Sequence, residues 1–351
     1  MGERERTRRG RAAGATIEDV ARASGVSIST VSRIINGRAG AAGAATRERV
    51  QAAITQLDYV PNRAARSLKT GRSHLIGVLL ADISHPYWGM VLGGVEDACQ
   101  QRGYGAVVSG AAERVDLENR YLTLFLSQQV DGILLNPAHA DAGTIAAWSR
   151  LTVPIVSLDR TLPGLPFDLV AMDNERGMRL AVEHLAALGH HRIGFVSWEP
   201  GDYSNRLERL AGYRAALVDA SLPATDDLVR FARMGWEDGV RATAALLAQP
   251  QRPTAVISAS SMLNLQVLAA AKRLGLRVPE DLSVVGHDDA PWDDLLDPPL
   301  TTIATPAREL GALAAVRLIA AIEADTPARG GERRLEPRLA LRRSTAPPAS
   351  G

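Results

Sequence analysis

The chain has 351 residues, 46% of them hydrophobic and 23% charged, a composition typical of a globular protein large enough for two or more domains. Its single cysteine, Cys99, excludes an internal disulfide and a cysteine-ligated metal cluster, and no apolar run reaches the length that a membrane span needs. The net charge of +1 conceals an asymmetry, because residues 1–73 carry a charge of +8 and the remaining residues carry −7. This asymmetry predicts two parts with different partners, the basic part binding a polyanion such as DNA.

The N-terminal segment, residues 1–14, is rich in arginine and is not followed by an apolar stretch. It therefore predicts a disordered basic arm rather than a secretory signal. Together with the single cysteine, this favours a protein of the cytoplasm, and of the nucleoid if its partner is DNA. A basic tail that serves only solubility remains the alternative for this segment.

Three short helices are predicted next. Thr16 fits the N-cap of the first helix and Asp19 its N3 position, and apolar residues then recur at i, i+3 and i+4. Gly25 ends this helix, and Ser27 can cap a second helix with the same apolar spacing. A third helix is predicted over 46–57.

Two helices joined by a glycine turn are typical of a helix-turn-helix, whose second helix enters the major groove of DNA. Residues 15–60 are therefore predicted to be a DNA-binding domain. The guanidinium fork of Arg33 fits guanine, and Ile28 can contact a thymine methyl group. The predicted base contacts are Ile28, Ser29 and Arg33, and the predicted phosphate contacts are Ser27, Thr30, Ser32 and Asn36. A three-helix bundle with a purely structural role remains the alternative.

The order and spacing of these residues are specific. Thr16-Ile17-Glu18-Asp19-Val20-Ala21, Gly25-Val26-Ser27, Thr30-Val31-Ser32-Arg33 and Asn36 resemble the headpiece of the lactose-repressor/galactose-repressor family. Residues 59–71 resemble that family's hinge helix, which orders on operator DNA, so a hinge and linker are expected at 61–74. The resemblance implies that Leu68 wedges into the minor groove. It also implies DNA contacts by Thr16, Ile17, Tyr59, Asn62, Ala65 and Lys69.

One loop departs from the family pattern. Residues 39–45 are rich in Ala and Gly and are one residue shorter than the usual entry into the third helix. We therefore expect a more flexible loop with fewer phosphate contacts.

From residue 75 onward, short apolar runs alternate with amphipathic stretches, which indicates β-α-β units and parallel sheets. The predicted strands are 76–80, 106–109, 132–135, 154–158, 193–197, 255–258 and 282–286. Open parallel sheets bind ligands beyond the carboxyl ends of their strands, so the residues that follow these runs are candidates for a binding site. A strand-like segment at 339–341 precedes the tail, 346–351, and the absence of leucine heptads favours a dimer over a tetramer.

Aromatic and charged residues are concentrated at those strand ends. Four of the five tryptophans lie in such loops, where an indole face can stack on a pyranose ring: Trp88, Trp198, Trp236 and Trp292. Asp288 and Arg209 can share hydrogen bonds to the hydroxyl groups of such a ring. The alternatives are that the tryptophans fill a core or rim and that the acidic run at 288–297 is a solvated turn.

Residues 75–345 also resemble the effector domain of the same family, which has the periplasmic sugar-binding fold. The resemblance implies two doubly wound parallel-sheet subdomains, three crossovers and a cleft, with Asp159-Arg160 at a subdomain crossover. It matches Arg209 and Asp288 with the family's effector-binding arginine and aspartate. The full set of predicted effector contacts is Ser84, Tyr87, Trp88, Asp159, Trp198, Arg206, Arg209, Trp236, Ser260, Asp288 and Trp292.

Four positions in this region differ from the family or are ambiguous. Ser260 and Ser261 stand where the family usually has Asn-Asp, and His287 replaces an aromatic residue, which favours either a different effector or weaker effector binding. One further cleft aromatic is ambiguous, because Met234 matches it by spacing and Trp236 by residue type. Trp236 is preferred.

No phosphate loop, dinucleotide-binding glycine motif, nucleophile elbow or zinc-type helix motif is present, so no enzyme, cofactor or metal site is predicted. His184, His190 and His191 lack metal-ligand spacing and are expected to be a helix end with surface histidines.

The predicted function is a transcription regulator, more specifically a repressor, that binds a pseudopalindromic operator as a homodimer. A small molecule, expected to be a sugar, controls it allosterically, and both an inducer and a co-repressor stay open. A free-standing periplasmic sugar-binding protein is the competing prediction, which the basic head and the missing signal both oppose.

Overall fold

The computed structural model describes residues 15–35, 42–59, 71–138, 148, 150–161, 164, 167–325 and 331–349. The chain divides at residue 73 into two compact units. Some predictions lie outside the described residues: the basic arm at 1–14, the phosphate contact Asn36, and the hinge helix with Asn62, Ala65, Leu68 and Lys69. Within the described ranges, no helix is long and apolar enough to cross a membrane.

The first unit is a helix-turn-helix followed by a third helix, as predicted. Its helices are α1 (Ile17–Ser24), α2 (Ile28–Ile35) and α3 (Ala44–Gln56). Val20, Val31 and Val50, one from each helix, are fully buried in the core of this unit. Helix α3 begins two residues before the predicted start, directly after Gly43, which has no side chain to cap it.

Local hydrogen bonds fix the ends of α1 and the start of α2. The Thr16 hydroxyl accepts from the Asp19 amide at 3.3 Å, and the Asp19 carboxylate accepts from the Thr16 amide at 2.9 Å. Gly25 ends α1 with a φ of 69°, in the left-handed region that glycine adopts without strain. The Ser27 hydroxyl accepts from the Thr30 amide at 3.2 Å. The predicted caps therefore set the turn between the two helices.

The second unit is built on two sheets. Its strands are β1 (Leu75–Leu80), β2 (Gly105–Gly110), β3 (Gly132–Leu135), β4 (Ile155–Leu158), β5 (Asp168–Met172), β6 (Ile193–Trp198), β7 (Val229–Ala232), β8 (Ala255–Ser258), β9 (Ser283–His287), β10 (Thr301–Ala304), β11 (Glu332–Leu335) and β12 (Arg338–Ala340). Its helices are α4 (Pro86–Arg102), α5 (Val115–Ser127), α6 (Asn174–Ala187), α7 (Ser204–Asp219), α8 (Trp236–Leu247), α9 (Ser261–Arg273) and α10 (Ala307–Glu323). The strand orders are β11-β5-β4-β3-β1-β2 and β12-β10-β9-β8-β6-β7, and all neighbours are parallel except β12, which is antiparallel to β10.

Each sheet and its helices form one subdomain. The first subdomain contains the first sheet with α4, α5 and α10, and the second contains the second sheet with α6 to α9. The chain passes between the subdomains after β5, β10 and β11, which confirms the predicted fold with three crossovers. The predicted crossover at Asp159-Arg160 is wrong, because these residues follow β4 and the chain adds β5 to the same sheet before it crosses. β5 is short and follows a stretch of sequence rich in Pro and Gly, so it lacks a clear strand pattern.

Helices α4 and α10 cross with their backbones in contact. A Cβ atom on Gly94 would lie 1.9 Å from the carbonyl oxygen of Arg308, and one on Gly311 would lie 2.0 Å from the carbonyl oxygen of Val91. Leu310 and Ala314 are fully buried beside this crossing in the core of the first subdomain. The two glycines therefore set the distance between the helices.

Replacing Gly311 by alanine is expected to destabilise the second unit by about 3 kcal/mol, because a methyl group against a backbone carbonyl cannot be relieved by a change of rotamer. Gly89→Ala in α4 is the matched control, since no atom lies within 4 Å of its Cβ position. That change is expected to stabilise the helix by roughly 0.5–1 kcal/mol. Chemical unfolding of both variants measures the difference, and equal stability would contradict the close crossing.

One prediction about the histidines is wrong. His190 is 1% exposed rather than on the surface: its Nε2 donates to the Ala346 carbonyl oxygen at 2.9 Å, and the Thr254 hydroxyl lies 2.8 Å from its Nδ1. The chain beyond β12 folds back over this side chain, a tertiary contact that the local sequence does not reveal. Burial lowers the pKa of His190.

The burial of His190 predicts a loss of stability in acid. Because its folded-state pKa is lowered, the stabilising effect is present above the ordinary histidine pKa of about 6.5 and is lost as the pH falls below it. We expect the thermal midpoint to fall less between about pH 7 and pH 5 in His190→Gln than in the unmodified protein. His191→Gln changes an exposed neighbour and serves as the control. The same pH dependence in all three proteins would refute this role.

Candidate functional site

The N-terminal half of α2 presents the side chains predicted to contact bases. Ile28 is 46% exposed, and Ser29 and Arg33 are exposed beside it. The Arg33 Nε donates to the Ser29 carbonyl oxygen at 3.3 Å, which holds the side chain along the helix. The Ser27 hydroxyl lies 2.9 Å from the hydroxyls of Ser29 and Thr30. A polar edge with one apolar residue and one guanidinium group is suited to reading a major groove.

The other predicted DNA contacts in this unit differ in exposure. Thr16 is exposed at the start of α1, whereas Ile17 and Ser32 are half-buried. Tyr59 is 9% exposed and belongs to the core that α1, α2 and α3 enclose. Tyr59 therefore has a packing role in this unit, and its DNA contact stays a prediction.

A cleft of about 660 Å³, including its open mouth, lies between the two subdomains at the carboxyl ends of their strands. Parallel strands end at the same edge of a sheet, so loops that are distant in sequence converge there. Most of the predicted effector contacts line this cleft: Tyr87, Trp88, Asp159, Trp198, Arg206, Arg209, Ser260 and Asp288.

Three predicted effector contacts are not part of the cleft wall. The Ser84 hydroxyl donates to the Asp82 carboxylate at 2.6 Å, while Trp236 and Trp292 are 46% and 40% exposed. Met234 lines the cleft instead, so spacing rather than residue type locates this position. Trp236 is the first residue of α8, two positions beyond the cleft wall.

The cleft also contains residues that the sequence analysis did not select. They are Asp82, His85, Glu113, Arg160, Ser197, Asn205, Met234, Ala259 and Thr305. Asp82 and His85 follow the predicted first strand, so position after a strand was a usable signal for them. Thr305 follows β10, which the sequence analysis did not predict, and Asn205 lies in a helix, so neither carried that signal.

Two aspartates face the cleft from opposite subdomains. Asp159 directly follows β4 and Asp288 directly follows β9, and both have a φ of 61°. Aspartate tolerates this left-handed conformation better than bulkier residues do. The Asn205 amide donates to Asp159 Oδ2 at 2.6 Å, and the Thr305 hydroxyl donates to Asp288 Oδ1 at 2.9 Å. These neutral donors leave both carboxylates able to accept further hydrogen bonds from hydroxyl groups.

The surroundings of Asp288 favour its ionised form. Burial alone would raise the pKa of this carboxyl, but the contact with His287 Nδ1 at 3.1 Å, with His85 and Arg209 nearby, outweighs burial and lowers the pKa. Burial lowers the pKa of both His85 and His287. Asp288 therefore presents an ionised carboxylate to the cleft at neutral pH.

Arg209 of α7 is held by neutral acceptors. Its Nε donates to Asn174 Oδ1 and its Nη1 to the Ala259 carbonyl oxygen, both at 2.8 Å. Among the described residues, no carboxylate forms an ion pair with it. Its charge is therefore available to an electron-rich oxygen in the cleft.

Charged and aromatic side chains join the subdomains along one wall of the cleft. Arg160 donates two hydrogen bonds to Glu113, at 2.9 and 3.1 Å. The ring of Tyr203 lies between the guanidinium groups of Arg160 and Arg206, at 4.4 and 4.2 Å from its centroid. Arg160 belongs to the first subdomain and Tyr203 to the second, so this cluster connects the two directly.

Comparison with known proteins places both parts of the chain. Residues 16–62 match the family model described as bacterial regulatory proteins, lacI family, and residues 182–345 match a periplasmic binding protein-like domain. The chain is 36% identical over 301 residues to the ribose operon repressor of Escherichia coli strain K12, a match that covers 86% of this chain and 91% of that protein.

Solved structures give the same result over nearly the whole chain. The Lac repressor dimer bound to operator and the anti-inducer ONPF has a TM-score of 0.83 and 31% identity, covering 95% of this chain and 100% of that one. A LacI family regulator from Enterococcus faecium with bound ribose has a TM-score of 0.69 and 29% identity, covering 78% of this chain and 99% of that one.

Proposed function

Because the chain belongs to the lacI family of bacterial regulatory proteins, we propose that it represses transcription by binding a pseudopalindromic operator as a dimer, under the control of a sugar in its cleft. The chain is a DNA-binding transcription regulator, as the members of this family are. In this proposal it works in the cytoplasm at the nucleoid and acts by binding alone, without catalysis. The observation that carries the proposal is the presence, in one chain, of an exposed recognition helix and a cleft with ionised and aromatic walls.

The DNA part of the proposal rests on α2. Its exposed Ile28, Ser29 and Arg33 lie on the segment that matches the lacI family model. The similar Lac repressor structure, with a TM-score of 0.83, is a dimer bound to operator, which supports the same assembly here. A protein with two-fold symmetry places one recognition helix in each half-site, so the operator should contain two related halves.

The sugar part of the proposal rests on the cleft. Trp88 and Trp198, each 6% exposed, contribute aromatic surface to it, and Asp159 and Asp288 contribute acceptors for hydroxyl groups. The relatives include a ribose operon repressor and a regulator solved with ribose, so D-ribose is the first sugar to test. Thermodynamic linkage requires that operator and sugar change each other's affinity by the same factor.

The test is a titration of the full chain against a pool of promoter fragments from its host, at about 50 and 200 mM salt. We expect the protein to bind pseudopalindromic fragments selectively. The higher salt concentration should weaken this binding steeply. D-ribose and other sugars are then added to the bound fraction: release identifies an inducer and strengthening a co-repressor. Weak binding without sequence preference would contradict the proposed recognition of an operator. Operator binding that no sugar changes would contradict the proposed control by a sugar.

A further inference from the structure

On the side of the cleft formed by the ends of β1 and β8, an imidazole bridges the two subdomains. His85 follows β1 in the first subdomain, whereas Ser260 and Ser261 lie at the start of α9 in the second. The His85 Nε2 lies 3.2 Å from the Ser260 Oγ and 3.3 Å from the Ser261 Oγ. The contact joins residues 175 and 176 positions apart in sequence, so it exists only while the subdomains are close together.

The position of this bridge makes it sensitive to opening. The chain crosses between subdomains after β5 and β10, whereas the bridge extends from the ends of β1 and β8. β1 is three strands from β5, and β8 is two strands from β10. With neighbouring strands about 4.8 Å apart, the bridge lies roughly 10–14 Å from the crossovers. A rotation about the crossovers therefore separates His85 from the serines early.

The burial and the lengths of the three side chains favour hydrogen bonding between the subdomains. Ser260 and Ser261 are 4% and 8% exposed, so their hydrogen bonds to the imidazole are shielded from water. A hydroxyl group is too short to cross the cleft, and the longer imidazole supplies the reach. The ring is also held edge-on against Tyr87, with centroids 6.2 Å apart. Both hydroxyls thus lie within hydrogen-bonding distance of the His85 Nε2, whose one hydrogen-bonding position they share.

We propose that His85, Ser260 and Ser261 form a latch that holds the cleft closed, and that Ser260 acts on the effector through closure rather than by contact. The statement that Ser260 acts on the effector through closure rests on the proposed function. Because the cleft walls come from both subdomains, the closed state is the one that binds. A group that stabilises this state raises the apparent affinity for every sugar by the same factor. A group that contacts the sugar changes the affinity differently from one sugar to the next.

Hydrogen exchange of the full chain, without any sugar, tests the latch itself. In His85→Ala we expect amides of residues 82–90 and 260–266 to exchange about 3- to 10-fold faster, the effect of one net hydrogen bond. Ser260→Ala combined with Ser261→Ala should give the same increase, and the triple variant should be no faster, because the groups act as one unit. His191→Ala, at an exposed position, is the control. Unchanged exchange in His85→Ala, or additive effects, would overturn the latch.

Calorimetry with two sugars tests the indirect role of Ser260. With D-ribose and D-glucose as probes, Ser260→Ala should weaken both affinities by the same factor of about 3 to 10. A loss confined to one sugar would overturn the indirect role and make Ser260 a direct contact. If neither these nor other sugars bind the unmodified protein, the sugar part of the proposed function fails, and hydrogen exchange still decides whether the latch exists.

Discussion

Replacing Arg33 by alanine is expected to weaken operator binding by roughly 5- to 150-fold and to relax the base preference at one position of each half-site. The guanidinium group is exposed on α2, and its contact with Ser29 holds the side chain along the helix toward the groove. Its planar fork can form two hydrogen bonds with guanine, and no other residue type reproduces that geometry. Selection of operators from a randomised pool, followed by titration of the enriched sequences, measures both effects.

Arg22→Ala is the matched control for this change. Arg22 is an exposed arginine on α1 that pairs with Asp19, so its loss removes the same charge from a different helix. We expect a small and uniform decrease in affinity with the base preference intact. Unchanged base preference in Arg33→Ala, or the same relaxation in Arg22→Ala, would mean that another residue reads this base pair.

Replacing Asp288 by alanine is expected to raise the sugar concentration for half-maximal response by about 100-fold or more and to leave operator binding unchanged. Asp288 is 4% exposed and ionised, and its bonds to His287 and Thr305 fix its orientation at the end of β9. A buried charged acceptor is worth more to a ligand hydroxyl than a neutral one. Operator titrations at increasing sugar concentration measure the response.

Asp294→Ala is the matched control, since Asp294 is a nearby carboxylate that does not line the cleft. Its side chain is 70% exposed and pairs with Arg342. We expect the sugar response of this variant to equal that of the unmodified protein. An unaltered response in Asp288→Ala would place the effector elsewhere in the protein. Loss of operator binding in the same variant would show that the change disturbs more than the cleft.

The features that the sequence predicted best depend on neighbouring residues. The caps at Thr16 and Gly25 form as expected, because they need only residues within one helical turn. The seven predicted strands are all present with ends within one residue of those predicted. Asp288 reaches the cleft because it directly follows β9 and the ends of parallel strands share one edge. Arg209 also lines the cleft, but it lies within α7 and was selected through the family resemblance.

The features that were missed depend on contacts between distant segments. His190 is covered by a segment of chain that its own neighbours do not determine. The strand β5 lacks a clear pattern, so the crossover was placed one strand too early. The bridge from His85 to Ser260 depends on how two subdomains close, which no local pattern specifies.

Both sheets are completed by strands that lie late in the chain. β11 forms one edge of the first sheet and β12 one edge of the second, and both follow residue 331. During translation, the first sheet cannot be completed before residue 335 emerges from the ribosome, nor the second before residue 340, whereas residues 15–59 emerge long before. A ribosome that stops upstream of residue 331 would release a recognition helix attached to two sheets with unpaired edges, which are prone to aggregate. The codons for residues 332–340 therefore decide whether a DNA-binding headpiece is made with two completed sheets.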